Sequence, residues 1–194
     1  MVEQTMVPKL IRPRRFGDDR GWFTESWNRK REAAAGIPSN FCQDNQSCST
    51  AKFTLRGLHF QTPPHAQAKL VRCLRGRIWD IAVDIRSGSP TFGKWVAAVL
   101  SAQGGEQLFV PKGFAHGFLT LEDDCEVAYK VDDYYAPECD AGILWNDPQL
   151  AIAWPLEGHS PVLSQKDTGL RSLAQAEGIF EYDGEPLAGL EAGA

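Results

Sequence analysis

Between residues 53 and 72, five polar side chains sit inside runs that otherwise read as β-strands: Arg56, His59, Gln61, Lys69 and Arg72. Polar groups on several strands converge on one cavity when they point into a β barrel. Arg56 and His59 are three apart and face opposite sides of a regular strand, so Gly57 between them is where a bulge would turn both to one side. The same spacing also fits a hydrogen-bonded core histidine beside solvated cations. Histidine occurs only at 59, 65, 116 and 159, so any histidine-dependent chemistry draws on these four. The phosphate loop G-x-x-x-x-G-K-[ST], the dinucleotide loop G-x-G-x-x-G and the nucleophile elbow G-x-S-x-G are all absent, which removes the usual marks of NTP hydrolysis, dinucleotide redox and α/β-hydrolase chemistry. Asn45-Gln46-Ser47 matches a glycosylation sequon and is read as coincidence.

The elements that would hold these residues are short strands. From Cys48 to about Trp154, apolar runs alternate with glycine-bearing turns at Gly57, Gly76, Gly88 with Gly93, Gly104–Gly105, and Gly113 with Gly117, the spacing of an antiparallel β sandwich or barrel. Residues 78–86 put Trp79, Ile81, Val83 and Ile85 on one face, expected to be core, and Asp80, Asp84 and Arg86 on a polar face. Gly104–Gly105 reads as a hairpin turn that would make runs 95–100 and 107–110 neighbours. Helical patterning is confined to the ends. Residues 28–35 are stopped by Gly36 and Pro38, and a second short helix around 167–176 is expected to be capped by Asp167 and to run through Leu170, Leu173 and Ala174.

The 194 residues, 43% hydrophobic, predict one domain over 1–194, large enough to bury roughly 70% of its extended-chain surface without disulfides or a structural metal. Its core is placed at about 16–173, and the Gly/Ala/Glu-rich tail at about 183–194 is expected to fray. A net charge of −5 and a pI near 5.4 argue against nucleic acid or an anionic membrane as partner. Five cysteines without a C-x-x-C pair, no apolar leader and no long apolar run predict a soluble, cytoplasmic chain.

Pro111-Lys-Gly-Phe-Ala-His116 resembles the second motif of the cupin superfamily, whose histidine points into the barrel. The first cupin motif would supply H-x-H as metal ligands, whereas this chain has His59-Phe60-Gln61; with Lys69 and Arg56 nearby, the reading is no metal. Eight segments then occur in order: Arg56-Gly-Leu-His59-Phe-Gln61, Gln67-Ala-Lys69-Leu-Val-Arg72, Asp80-Ile-Ala-Val-Asp84, Ser89-Pro-Thr-Phe-Gly-Lys-Trp95, Pro111-Lys-Gly-Phe-Ala-His116-Gly-Phe, Tyr129-Lys with Asp133-Tyr-Tyr135-Ala-Pro, Trp145-Asn-Asp-Pro148, and Leu163-Ser-Gln-Lys166-Asp167. Together they resemble the dTDP-4-dehydrorhamnose 3,5-epimerase family, from about Phe16 to Leu173.

That resemblance implies an all-β, antiparallel jelly-roll of the cupin type with short peripheral helices near both termini. It implies a metal-independent, cofactor-free epimerase acting on a dTDP-4-keto-6-deoxy sugar through an enolate. His59 would be the base, Tyr129 the acid, Lys69 (with Arg56 or His116) the enolate partner, and Asp167 the residue that orients His59. For the nucleotide it carries over Arg20, Glu25, Gln43, Asn45 and Lys166, with Tyr135 against the thymine; it implies a homodimer in which N-terminal residues cross between chains. Gln46 stands where the family often has histidine, and Asp140, a substrate contact, where it often has glutamate. Three rivals remain: a monofunctional 3- or 5-epimerase of another deoxysugar pathway, a metal-dependent cupin oxygenase or isomerase, and a non-catalytic sugar-binding barrel.

Overall fold

Through the middle of the chain, β-branched and aromatic residues alternate with polar ones, and glycine turns break the alternation into strands. The computed structural model describes residues 6–37, 40–182 and 184–190. Its strands are β1 (Lys9–Ile11), β2 (Arg15–Asp18), β3 (Gly21–Thr24), β4 (Gln43–Ser49), β5 (Leu55–Gln61), β6 (Lys69–Arg75), β7 (Arg77–Asp84), β8 (Arg86–Ser87), β9 (Trp95–Ser101), β10 (Gln107–Val110), β11 (Phe114–Thr120), β12 (Cys125–Val131), β13 (Asp140–Gly142) and β14 (Phe180–Glu181). Two five-stranded antiparallel sheets result, ordered β1-β10-β6-β12-β4 and β13-β5-β11-β7-β9. Sheet neighbours are seldom sequence neighbours, which is the jelly-roll crossing expected of a cupin-type fold; the two sheets face each other as a sandwich and do not close into one hydrogen-bonded barrel.

An apolar cluster including Val71, Ile78, Leu100, Leu108, Phe118 and Val127 draws on both sheets. Each such side chain contributes about 1.5–3 kcal/mol on burial. Buried polar side chains, Asp80 and His116 among them, alternate with these along the same strands. The outer face of the second sheet is also apolar, and Ile143, Leu150, Leu173 and Ala176 of the C-terminal segment cover it. This revises the reading of residues 78–86: their alternation is present, but Asp80, Asp84 and Arg86 are as buried as Ile81 and Ile85. The polar side faces the sandwich interior, where Asp84 binds Arg86 at 2.8–2.9 Å.

The expected hairpin at Gly104–Gly105 is not one. β9 pairs with β7 while β10 lies between β1 and β6, so the turn carries the chain from one sheet to the other. Glycine supplies the left-handed φ of 75° at Gly105, but a crossing and a hairpin need the same local freedom; long-range burial decides between them. Helix α1 (Arg29–Ala34) forms where expected, with the Asn28 side chain accepting from the N–H groups of Lys30 and Arg31; Gly36 follows at φ 74°, and Pro38 lies outside the described residues. The second expected helix is instead two pieces. Ser164 caps α2 (Gln165–Thr168) by accepting from Asp167 N at 3.1 Å, which places Asp167 inside the first turn, and a separate 3-10 turn spans Leu173–Ala176. In the described part of the tail, Leu187 N donates to Thr91 Oγ1 at 2.8 Å, and Leu187 and Leu190 pack on the interior cluster. Asp183 and residues 191–194 lie outside the described residues. No helix among the described residues is long and apolar enough to cross a membrane.

Candidate active site

The site begins with a bulge. Along β5 against β11, His59 faces His116 and Arg56 faces Phe118, so two residues of β5, Gly57 and Leu58, lie opposite the single Gly117 of β11. Gly57 takes the extra position at φ 125°; a Cβ there would meet Gly117 Cα at 2.7 Å and the His116 carbonyl at 2.8 Å. The bulge turns Arg56 and His59 to the same side, and both line one cavity of about 420 Å3 together with Lys69, His116, Tyr129 and Asp167. A second lobe of about 340 Å3 shares His59, Lys69, Tyr129 and Lys166 and extends past Gln43, Asn45, Tyr135 and Asp140.

His59 Nε2 lies 2.5 Å from Asp167 Oδ1. Burial alone would raise the Asp167 carboxyl, but the His59 hydrogen bond and charge, with Ser164 and Lys166, hold it below the usual carboxylate range. An ionised Asp167 accepting from Nε2 leaves Nδ1 as the lone-pair nitrogen, which fixes the tautomer of a base. His116 has a similar partner: its Nε2 is 3.0 Å from both oxygens of Asp80, a carboxyl that burial pushes up against the opposing pull of His116 and Lys69.

Lys69 and Tyr129 come from β6 and β12 of the opposite sheet. Lys69 Nζ donates to the His59 carbonyl at 3.2 Å, and burial lowers its ammonium from 10.5 to about 8 despite the charges of Asp140 and Asp80. Burial raises the Tyr129 phenol, so it holds its proton at neutral pH. Arg56 is steadied by Ser49 Oγ at 3.1 Å and the Cys48 carbonyl at 3.0 Å. An imidazole with its carboxylate, a protonated phenol from the other sheet, and a low-pKa ammonium lining the same cavity can move a proton off one face of a carbon acid and onto the other.

At the mouth, Asp140 accepts from the Tyr135 hydroxyl at 3.1 Å and pairs closely with Lys166. Gln43 Nε2 donates to Asn45 Oδ1 at 2.8 Å, and Gln43 Oε1 accepts from Tyr135 N at 3.3 Å. The structure thus gathers His59, Tyr129, Lys69, Asp167, Arg56, His116, Gln43, Asn45, Tyr135, Asp140 and Lys166 around connected space. It does not bring Arg20 or Glu25 there within one chain: Arg20 pairs with Asp18 on the β2–β3 hairpin, and Glu25 pairs with Arg31. Arg72, read as part of the inward set, lines the outer surface of the first sheet with Gln46 and Lys130, because strand alternation turns it away from Lys69. Sequence reasoning missed Asp80 as the partner of His116 and Ser164 as the cap that presents Asp167; an S-x-x-D before an apolar stretch was the available sign of the latter.

A cupin metal does not fit this lining. Both donors and the carbonyl of the Gln61 amide are engaged by loop backbone, Lys69 brings a positive charge to the same lobe, and among the described residues no three His, Cys, Asp or Glu side chains gather as ligands.

A family model described as dTDP-4-dehydrorhamnose 3,5-epimerase matches residues 6–175. The dTDP-4-dehydrorhamnose 3,5-epimerase of Sinorhizobium fredii is 52% identical over 178 residues, covering 90% of this chain and 89% of the relative. Among solved structures, dTDP-4-dehydrorhamnose 3,5-epimerase from Bacillus anthracis with TDP and PPi bound is 53% identical with TM-score 0.83, covering 85% of this chain and 93% of the other. The dTDP-6-deoxy-D-glucose-3,5-epimerase of Legionella pneumophila in complex with dTDP-4-keto-L-rhamnose is 47% identical with TM-score 0.85, covering 91% and 94%.

Proposed function

The chain belongs to the dTDP-4-dehydrorhamnose 3,5-epimerase family, and from that premise we infer that His59, Tyr129, Lys69 and Asp167 carry its chemistry. It is an isomerase that inverts C3 and C5 of dTDP-4-dehydro-6-deoxy-D-glucose to give dTDP-4-dehydro-L-rhamnose. Both carbons flank the C4 ketone, which acidifies their hydrogens. His59 Nδ1 takes the proton, and the electron pair moves onto the C4 oxygen. The Lys69 ammonium stabilises this enolate, and Tyr129 delivers a proton to the opposite face. The resulting imidazolium and phenolate reset by exchange with solvent, and the cycle repeats at the second carbon. No step calls on a metal, since the ammonium takes the charge a Lewis acid would otherwise take.

The observation that carries this reading is the placement of His59 and Tyr129 on opposing sheets around one cavity, with Asp167 on His59 and Lys69 beside it. Gln43, Asn45, Arg56, Tyr135, Asp140, His116 and Lys166 would bind the rest of the dTDP-sugar. Arg20 and Glu25 join them from a second copy of the chain; in support, the β2–β3 hairpin exposes Phe16, Trp22 and Phe23 by 51%, 58% and 65%, an apolar surface suited to a partner. We read residues 1–194 as one domain of a cytoplasmic homodimer, with a net charge of −5 that favours neither nucleic acid nor anionic membrane. The test is Tyr129→Phe, which keeps the ring and deletes the donor. The variant should wash solvent deuterium into the substrate faster than it forms epimer, because His59 can only return a proton to the face it came from. Loss of exchange and inversion in equal proportion would remove Tyr129 from the role of acid.

A further inference from the structure

We propose that Gln61 is a positioning residue that builds the nucleotide end of the cavity, an inference that rests on reading the cavity as the nucleotide-sugar site. Gln61 is 4% exposed. Its Nε2 donates to the His65 carbonyl at 2.6 Å and the Tyr134 carbonyl at 3.2 Å, and its Oε1 accepts from Ala136 N at 2.8 Å. One side chain therefore ties the turn after β5 to the turn that carries Tyr135. Its backbone completes the hold: Gln61 faces Asp140 in the β5–β13 register, and Thr62 N donates to the Cys139 carbonyl at 2.8 Å. The segment 134–140 is thus fixed at one end by the Gln61 amide and at the other by its strand pairing. Between these anchors Tyr135 reaches Asp140 through its hydroxyl and Gln43 through its N–H, and Asp140 holds Lys166. The other ties between the two turns flank this stretch: Ala68 N donates to Asp132 Oδ1 at 2.7 Å, His65 lies 3.3 Å from Asp133, Gln67 donates to the Asp133 carbonyl at 2.7 Å and Thr62 Oγ1 to the Cys139 carbonyl at 3.5 Å, and none of these reaches Tyr134–Ala136.

Only a primary amide satisfies this position. Two carbonyls need donors and one N–H needs an acceptor; a carboxylate would face two carbonyl oxygens, an imidazole has too few donors in its neutral form, and an aliphatic side chain leaves all three groups unpaired. The position that continues H-x-H is committed to loop architecture, and its effect falls on Tyr135, Asp140 and Lys166. His59, Asp167, Lys69 and Tyr129 are held by other contacts, so the expected signature is weaker binding with intact chemistry.

Thymidine diphosphate affinity by calorimetry, and solvent-deuterium exchange at saturating substrate, would be measured for the wild type, Gln61→Met and Gln61→Glu. For Gln61→Met, Kd and KM should rise about tenfold or more while kcat and its pH profile stay within about threefold. Gln61→Glu should bind weakly near pH 8 and recover on acidification towards pH 5 relative to the wild type at each pH, because a protonated carboxyl again donates to a carbonyl and accepts from Ala136 N. That recovery carries the test if Gln61→Met does not fold. Unchanged affinity in both variants, weakened affinity in Gln61→Glu that acid does not restore, or a fall in kcat with affinity retained would overturn the proposal. Failure of the wild type to bind thymidine diphosphate would instead overturn the reading of the cavity, and the proposal with it.

Discussion

Lys69→Met should abolish epimerisation and yet stabilise the fold at neutral pH. Burial lowers the Lys69 ammonium from 10.5 to about 8, and each tenfold loss of proton affinity is worth about 1.4 kcal/mol, so keeping it charged in the folded state costs on the order of 3 kcal/mol. The unfolded chain binds this proton more tightly than the folded one. The cost is therefore fully present below about pH 8 and fades as pH rises towards the unfolded value near 10.5. Methionine fills similar volume without charge. It forfeits the hydrogen bond from Lys69 Nζ to the His59 carbonyl, worth about 1 kcal/mol, leaving a net gain of about 2 kcal/mol at pH 7. For a chain of this length that gain raises Tm by roughly 4–8 °C. The assay is denaturant unfolding of both proteins at matched concentration at pH 7, 8, 9 and 10. The advantage of the variant should shrink steadily above pH 8. A stability difference that does not change across this range would refute the argument that burial of a charged Lys69 is held against its own desolvation.

His59→Asn and Asp167→Asn should each lower solvent exchange beside the ketone by about 10²- to 10⁴-fold with thymidine diphosphate affinity nearly unchanged, and the double variant should be little worse than either single one, because the pair acts as a unit; additive losses in the exchange assay would break the dyad. Gly57→Ala should destabilise the protein by roughly 3 kcal/mol or more, since its Cβ would sit 2.7 Å from Gly117 Cα at a left-handed φ; a loss under about 1 kcal/mol in urea unfolding would mean that the bulge adjusts freely.

How much of the molecule was legible in its sequence differs by element. His59 and Lys69 stood out because imidazole and ammonium groups are uncommon inside strands, Tyr129 was legible only through the family resemblance because tyrosine is an ordinary strand residue, and the bulge at Gly57 followed from a glycine between two residues that must face the same way. Alternation in 78–86 identified which residues share a face; it did not reveal that the polar face is internal, because a period of two is the same whether a face meets water or a cavity. The same limit applies at Gly104–Gly105, where glycine marks a turn but not whether the chain pairs or crosses. Arg72 was drawn inward by proximity to Lys69 in sequence, although three residues along a regular strand reverses the side. The cap at Ser164 was displaced to Asp167 because both are good acceptors, and only the packing of Asp167 against His59 separates them.

The central claim is that one base and one acid invert two carbons of the same sugar. Incubation of the enzyme with dTDP-4-dehydro-6-deoxy-D-glucose in heavy water, followed by NMR of the product, tests it most directly. The account predicts dTDP-4-dehydro-L-rhamnose carrying deuterium at both C3 and C5, with both signals lost together in His59→Asn. Deuterium and inversion at a single carbon, or retention of either activity in His59→Asn, would contradict it.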